Sequence, residues 1–163
     1  MMGDITVVIS VLALIGLFWQ VYLQRTHNEK SLKPLGQIDL EDRQGHIYVR
    51  VTNNGLGPMI IDRLIFQKDG QAYTAIEDCL ELDRRSYTRI SVNESVRKVI
   101  LPNGHLVIFD TRLEKDEEGE RRVRQQLSPI LIKVAFHDIY DNKMAIERDL
   151  QWFSRHEIKE EIM

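Results

Sequence analysis

The sequence predicts a mainly β protein, an immunoglobulin-like antiparallel β-sandwich preceded by one N-terminal transmembrane α-helix. Three observations carry that expectation. Residues 5–23 (ITVVISVLALIGLFWQVYL) hold no charge, whereas almost every ten-residue block after them holds several. From Gly36 onward, short runs alternate apolar and polar residues and end at Asn-Gly, Asp-Gly or Gly-Pro signals, the mark of half-buried strands joined by turns. No βαβ rhythm of strands and long amphipathic helices interrupts them, and an open barrel is the main alternative to the sandwich.

The 163 residues divide into an anchor (1–25), a juxtamembrane linker (26–35), a β domain (36–153) and a charged tail (154–163). At 1.5 Å per residue, residues 5–23 span about 29 Å, the thickness of a bilayer's hydrocarbon core. Trp19 and Tyr22 stand at the end of the span, where amphipathic rings favour the headgroup level. A cleaved signal peptide is disfavoured, because MMGD carries no Lys or Arg and no A-x-A-like site follows the apolar run. A buried core helix would show one polar face, and this segment is apolar nearly all round.

Orientation follows from flanking basic charge. Only Asp4 precedes the span among ionisable side chains, whereas Arg25, Lys30 and Lys33 follow it. The positive-inside rule therefore predicts a single-pass protein of the inner (plasma) membrane, with its N-terminus outside and its domain in the cytoplasm. The same three basic residues are candidates to face anionic lipid. Within the anchor, Thr6, Ser10, Ala13, Gly16 and Gln20 fall in an arc of about 120° at 100° per residue. Small residues let helix backbones approach and Gln20 can hydrogen-bond across an interface, so this stripe is a candidate helix-packing face for a protein partner or for self-association.

In the domain, strands are expected at 36–41, at 46–52 with Ile47, Val49 and Val51 on one face, and at 59–67, ending at the Asp69-Gly70 turn. Residues 72–82 suggest a short helix or helical turn through Ile76, Cys79 and Leu80. Short strands are expected at 86–92 and 96–101, and another at 105–111 after Pro102-Asn103-Gly104. Residues 114–127 place acids before bases and end at Ser128-Pro129, which suits a short helix or simply a solvated excursion. Two runs close the domain, 130–139 and 144–153, the second with Ile146, Leu150 and Trp152 aligned, joined by an Asp141-Asn142 turn.

Two stretches carry a resemblance. Residues 51–61 (VTNNGLGPMII) resemble the pattern V-x-N-x-G-x-G-P-A-x-I, and residues 136–142 (FHDIYDN) resemble a Y-x-D-I-Y-G-N hairpin. Both patterns recur in small bacterial single-pass membrane proteins of uncharacterised function, in which one span precedes a β-sandwich. This chain departs from them at Met59, Phe136 and Asp141. The resemblance implies an architecture and no activity. Physically, Gly55 and Gly57 can take positive φ, and Pro58 fixes the next strand's entry. Exposed backbone amides around Asn54, Gly55, Gly57 and Pro58 make that stretch a candidate binding loop.

Catalytic and metal-binding patterns are absent from the sequence. Histidines 27, 46, 105, 137 and 156 stand at no metal-ligand spacing with one another or with Cys79. No G-x-S-x-G, H-E-x-x-H, P-loop or dinucleotide fingerprint occurs. His137 and Asp138 lie beside Asp141, but strand alternation sends the first two to opposite faces. Arg84, Arg85, Arg89, Arg97 and Lys98 form a basic cluster, countered by Glu81, Asp83 and Glu94. The net charge of −3 predicts no nucleic-acid partner. Cys79 stands alone and excludes an intramolecular disulfide, in keeping with a reducing compartment. The expectation is a membrane-tethered, non-catalytic binding or scaffolding module without cofactor or metal. A lipid- or small-ligand-sensing domain is the alternative.

Overall fold

A computed structural model describes residues 2–89, 98–113 and 116–159. The first element, α1 (Met2–Ser31), is apolar and exposed from Ile5 to Leu23, and it is one helix long and apolar enough to cross a membrane. It does not stop at Arg25. Residues 26–31, expected as linker, continue the helix although only Glu29 and Lys30 among them are good helix formers: each added residue propagates a helix already nucleated by the long segment before it, and Arg25 pairs with Glu29 one turn on at 3.4 Å. Pro34 then bars the helical conformation from the residue before it.

The domain is built of two antiparallel sheets. Chain order gives β1 (Gly36–Arg43), β2 (His46–Asn53), β3 (Met59–Lys68), β4 (Gln71–Tyr73), β5 (Lys98–Ile100), β6 (His105–Arg112), β7 (Leu131–His137) and β8 (Lys143–Asp149). One sheet runs β1-β2-β6. The other runs β4-β3-β7-β8, with β5 beside β4 along the edge of β3 away from β7. The turns Gln44-Gly45 and Asp69-Gly70 have positive φ at both residues. That is the type I′ geometry that matches strand twist in two-residue hairpins.

Alternation works as expected. Ile47, Val49 and Val51 of β2 are buried and meet Ile61, Leu64, Phe66, Ile132 and Val134 of the other sheet in one hydrophobic cluster. The β1 and β8 edges face each other, and the Arg148 guanidinium donates to the Ile38 carbonyl across the gap.

Helix α2 (Glu117–Leu127) forms where acids precede bases, with Asp116 accepting from the Gly119 amide at 2.9 Å. Its Val123 and Leu127 are buried, and Arg124 grips the buried Asp42 carboxylate through two 2.9 Å hydrogen bonds. Arg155 stands 3.6 Å from the same carboxylate.

Three expectations are met only in part. Residues 72–82 supply β4 and then a single 3-10 turn, Ile76–Asp78. The last run does not stay extended. Asp149 accepts from the Gln151 amide at 3.1 Å and starts a 3-10 helix, Gln151–Lys159, so Phe153 is buried where Trp152 was expected. Of the strands expected at 86–92 and 96–101, β5 is seen and Thr88 bridges Asp110, while residues 90–97 lie outside the described ones.

Candidate functional site at the anchor end

The helix enters the domain at the end where β1 and β3 begin and β2 and β7 finish. There the chain leaving α1 is seated on the loop between β2 and β3, and Asn53 organises the seat. Period-2 alternation from Ile47, Val49 and Val51 aims Asn53 inward, and it is fully buried. Its amide nitrogen donates to the carbonyls of Gly57 (2.8 Å) and Ile100 (3.0 Å). Its amide oxygen accepts from the backbone nitrogens of Gly55 (3.0 Å) and Leu35 (3.2 Å). The side chain thus uses all four of its hydrogen-bonding positions. Backbone bonds from Asn54 to Leu35, Asn103 to Asn53 and Asn53 to Gly104 complete the arrangement.

The glycines serve this seat in a way the sequence did not suggest. Neither Gly55 nor Gly57 has positive φ. A Cβ on Gly57 would overlap the carbonyl oxygen of Leu32, and one on Gly55 would overlap the backbone of Lys33 and Leu35. The glycines are needed because another stretch of backbone lies against them. The amides of Asn54 and Gly55, offered by sequence as ligand donors, are spent on Leu35 and Asn53, while the Asn54 side chain donates to Gln37. Pro58 is half-buried at the entry to β3.

Beside this seat lies the hairpin between β7 and β8. Asp138, almost wholly buried, accepts from the amides of Tyr140 (2.8 Å) and Asn142 (3.0 Å) and from the Asn142 side chain (2.9 Å). Burial opposes its ionisation, but these donors, with Lys33 nearby, hold its carboxyl below the usual carboxylate range. His137 turns the other way. Its Nδ1 lies 2.9 Å from the Asp62 carboxylate and its Nε2 lies 3.9 Å from Asp141. Asp62, Arg63, His137, Asp141 and Lys143 rim a shallow depression of mixed charge on the outer face of β3 and β7.

The remaining candidates are dispersed. Thr6, Ser10, Ala13, Gly16 and Gln20 lie along α1. The Ser10 hydroxyl donates back to the Thr6 carbonyl, and Gly16 has open space where a side chain would stand. Arg25, Lys30 and Lys33 are exposed around the helix exit. The basic cluster of the middle strands is partly neutralised by acids other than those expected: Arg89 meets Glu77 at 2.7 Å and Arg84 meets Asp78 at 3.9 Å. Arg97 and Glu94 lie outside the described residues. Burial pushes the Cys79 thiol up to about 11, so it is a poor nucleophile. Among the described residues no group of three His, Cys, Asp or Glu side chains is placed to hold a metal.

Two site residues escaped the sequence reading, Asn53 and Asp62. The signal for the first was present, a polar residue in register with three core residues. Asp62 follows Ile61, where the β3–β7 register shifts, and no local pattern marks such a shift. No family model and no curated protein matches this chain.

Proposed function

We propose that the protein is a membrane-tethered, non-catalytic binding or scaffolding module that assembles with a membrane-associated protein partner. The observation that supports it best is the Asn53 seat, which ties an apolar, membrane-length helix to a β domain without a slack linker. A domain held in this way is concentrated at the membrane surface, where tethering raises its effective concentration for a membrane partner.

The contact within the bilayer is assigned to Thr6, Ser10, Ala13, Gly16 and Gln20, either with the partner's helix or with a second copy. The two sheets are taken as an immunoglobulin-like sandwich. The two turn motifs support kinship with small bacterial single-pass proteins, and Arg25, Lys30 and Lys33 support a cytoplasmic domain at the inner membrane.

Purification of the tagged full-length protein in mild detergent, with mass spectrometry of what remains bound, tests this. A stoichiometric partner, or a self-associated species, should survive purification and be lost in Gly16→Leu. Open space around Gly16 means that the substitution leaves the chain's own packing intact. A species without partners in both proteins would sink the proposal. A lipid- or small-ligand-sensing domain is the second reading, favoured by exposed Lys30 and Lys33 at the helix exit. It requires binding to anionic vesicles that falls steeply with salt.

A further inference from the structure

Outside the anchor, eight large apolar side chains are exposed among the described residues, and seven of them gather at the end where α1 enters. Leu32 and Leu35 belong to the segment leaving the helix, and Leu56 tips the loop seated on it. Leu101 sits in the turn bonded to Asn53, with Val99 two residues before it on β5, and Ile139 and Tyr140 tip the β7–β8 hairpin. Leu56 and Leu101 are 68% and 67% exposed and Leu35 is 60% exposed. The eighth, Trp152, lies under the Arg155 guanidinium at 3.1 Å. Apolar loop tips gathered at one end of a domain mark an interaction surface.

Two observations identify the occupant. The patch is continuous with the membrane-length helix, since Leu32 is the first residue after α1 and is itself part of the patch. Exposed Lys30, Lys33 and Lys143 stand around it against the exposed Asp141 of the hairpin, a balance that suits anionic headgroups. We propose that this end of the β domain rests on the bilayer, its apolar loop tips entering the headgroup layer beside the anchor. The proposal rests on α1 spanning the membrane and is independent of any protein partner.

Height constrains the pose. Leu23 to Leu32 is nine residues, about 13 Å of helix, whereas the headgroup layer is about 5–7 Å deep on each side. An upright helix would hold the tips clear of the lipid. The patch extends across neighbouring strands about 4.8 Å apart, so its far side lies about 15 Å from the helix exit. A helix tilt of about 30°, within the observed range, brings that side to within about 4 Å of the hydrocarbon. The docked state is therefore a tilted one.

The test uses the full-length protein reconstituted in vesicles of phosphatidylcholine with phosphatidylglycerol. An environment-sensitive fluorophore is placed on Leu56→Cys, on Leu101→Cys or, at the opposite end, on Gln71→Cys. Cys79 is buried with a raised pKa and does not compete for label. Spin-labelled lipid carrying its nitroxide at the headgroup should quench the labels at 56 and 101 several-fold more than the label at 71. Removing phosphatidylglycerol should weaken that contrast. Equal quenching at all three positions overturns the proposal. So do unquenched labels at 56 and 101 that transfer energy between copies, because a second chain would then cover the patch.

Discussion

At the end of the domain far from the anchor, the chain reverses through Gln44-Gly45 and Asp69-Gly70, where glycine sits because φ is positive and a Cβ on Gly70 would meet nothing. At the anchor end it reverses through Asn54 to Pro58, where the glycines have negative φ and lie against the backbone of residues 32–35. The Asp69-Gly70 turn is a polar hairpin that answers only to its own strands, whereas Gly45 has positive φ and also lies against the Leu113 carbonyl. The near loop is a tertiary contact, pinned by a buried amide and tipped by exposed leucine. Glycine therefore reports backbone freedom alone at Gly70, crowding alone at Gly55 and Gly57, and both at Gly45, and only substitution separates the two meanings.

Gly57→Ala should have the largest effect. Its methyl group and the Leu32 carbonyl cannot both keep their places, so a loss of about 3 kcal/mol or more is expected in urea melts of the detergent-solubilised protein. Asn53→Ala comes next, at about 2–4 kcal/mol, because it strands two buried carbonyls and two amides. A melt unchanged by either would break the comparison.

Asp138→Ala should cost about 1.5–3 kcal/mol at neutral pH through loss of bonds to an ionised acceptor. The carboxyl's folded pKa lies below its ordinary value of 3.8. Its contribution is therefore complete above about pH 4 and is lost as pH falls through the folded pKa. Melts across that range should show the variant less acid-sensitive than the parent. Smallest is Gly70→Ala, at about 1 kcal/mol, set by φ alone. If it matched Gly57→Ala, crowding would not be the distinction.

The strands were legible because alternation records burial directly, and the α2 helix because its charge order matches its dipole. The Asp69-Gly70 hairpin was legible because turn chemistry is local. The Asn53 seat was not, since its partners at 35, 57 and 100 are brought together only by folding. The end of the last strand was missed because period 2 continues past Leu150 in the sequence, while Asp149 captures the Gln151 amide. The helical linker was not legible because Thr26, His27, Asn28 and Ser31 are weak helix formers, and helix runs through them by propagation from the segment before.

The seated exit also makes the β domain a lever arm. Strand β3 has ten residues, about 33 Å at 3.3 Å each, and it runs from the seat to the far turn. Where the seat does not yield, reorienting α1 by about 10° would swing the Asp69-Gly70 turn through about 6 Å. With α1 set in a bilayer, as proposed, a change in bilayer thickness or in how α1 packs there would be read out as a displacement in water at the opposite end of the molecule.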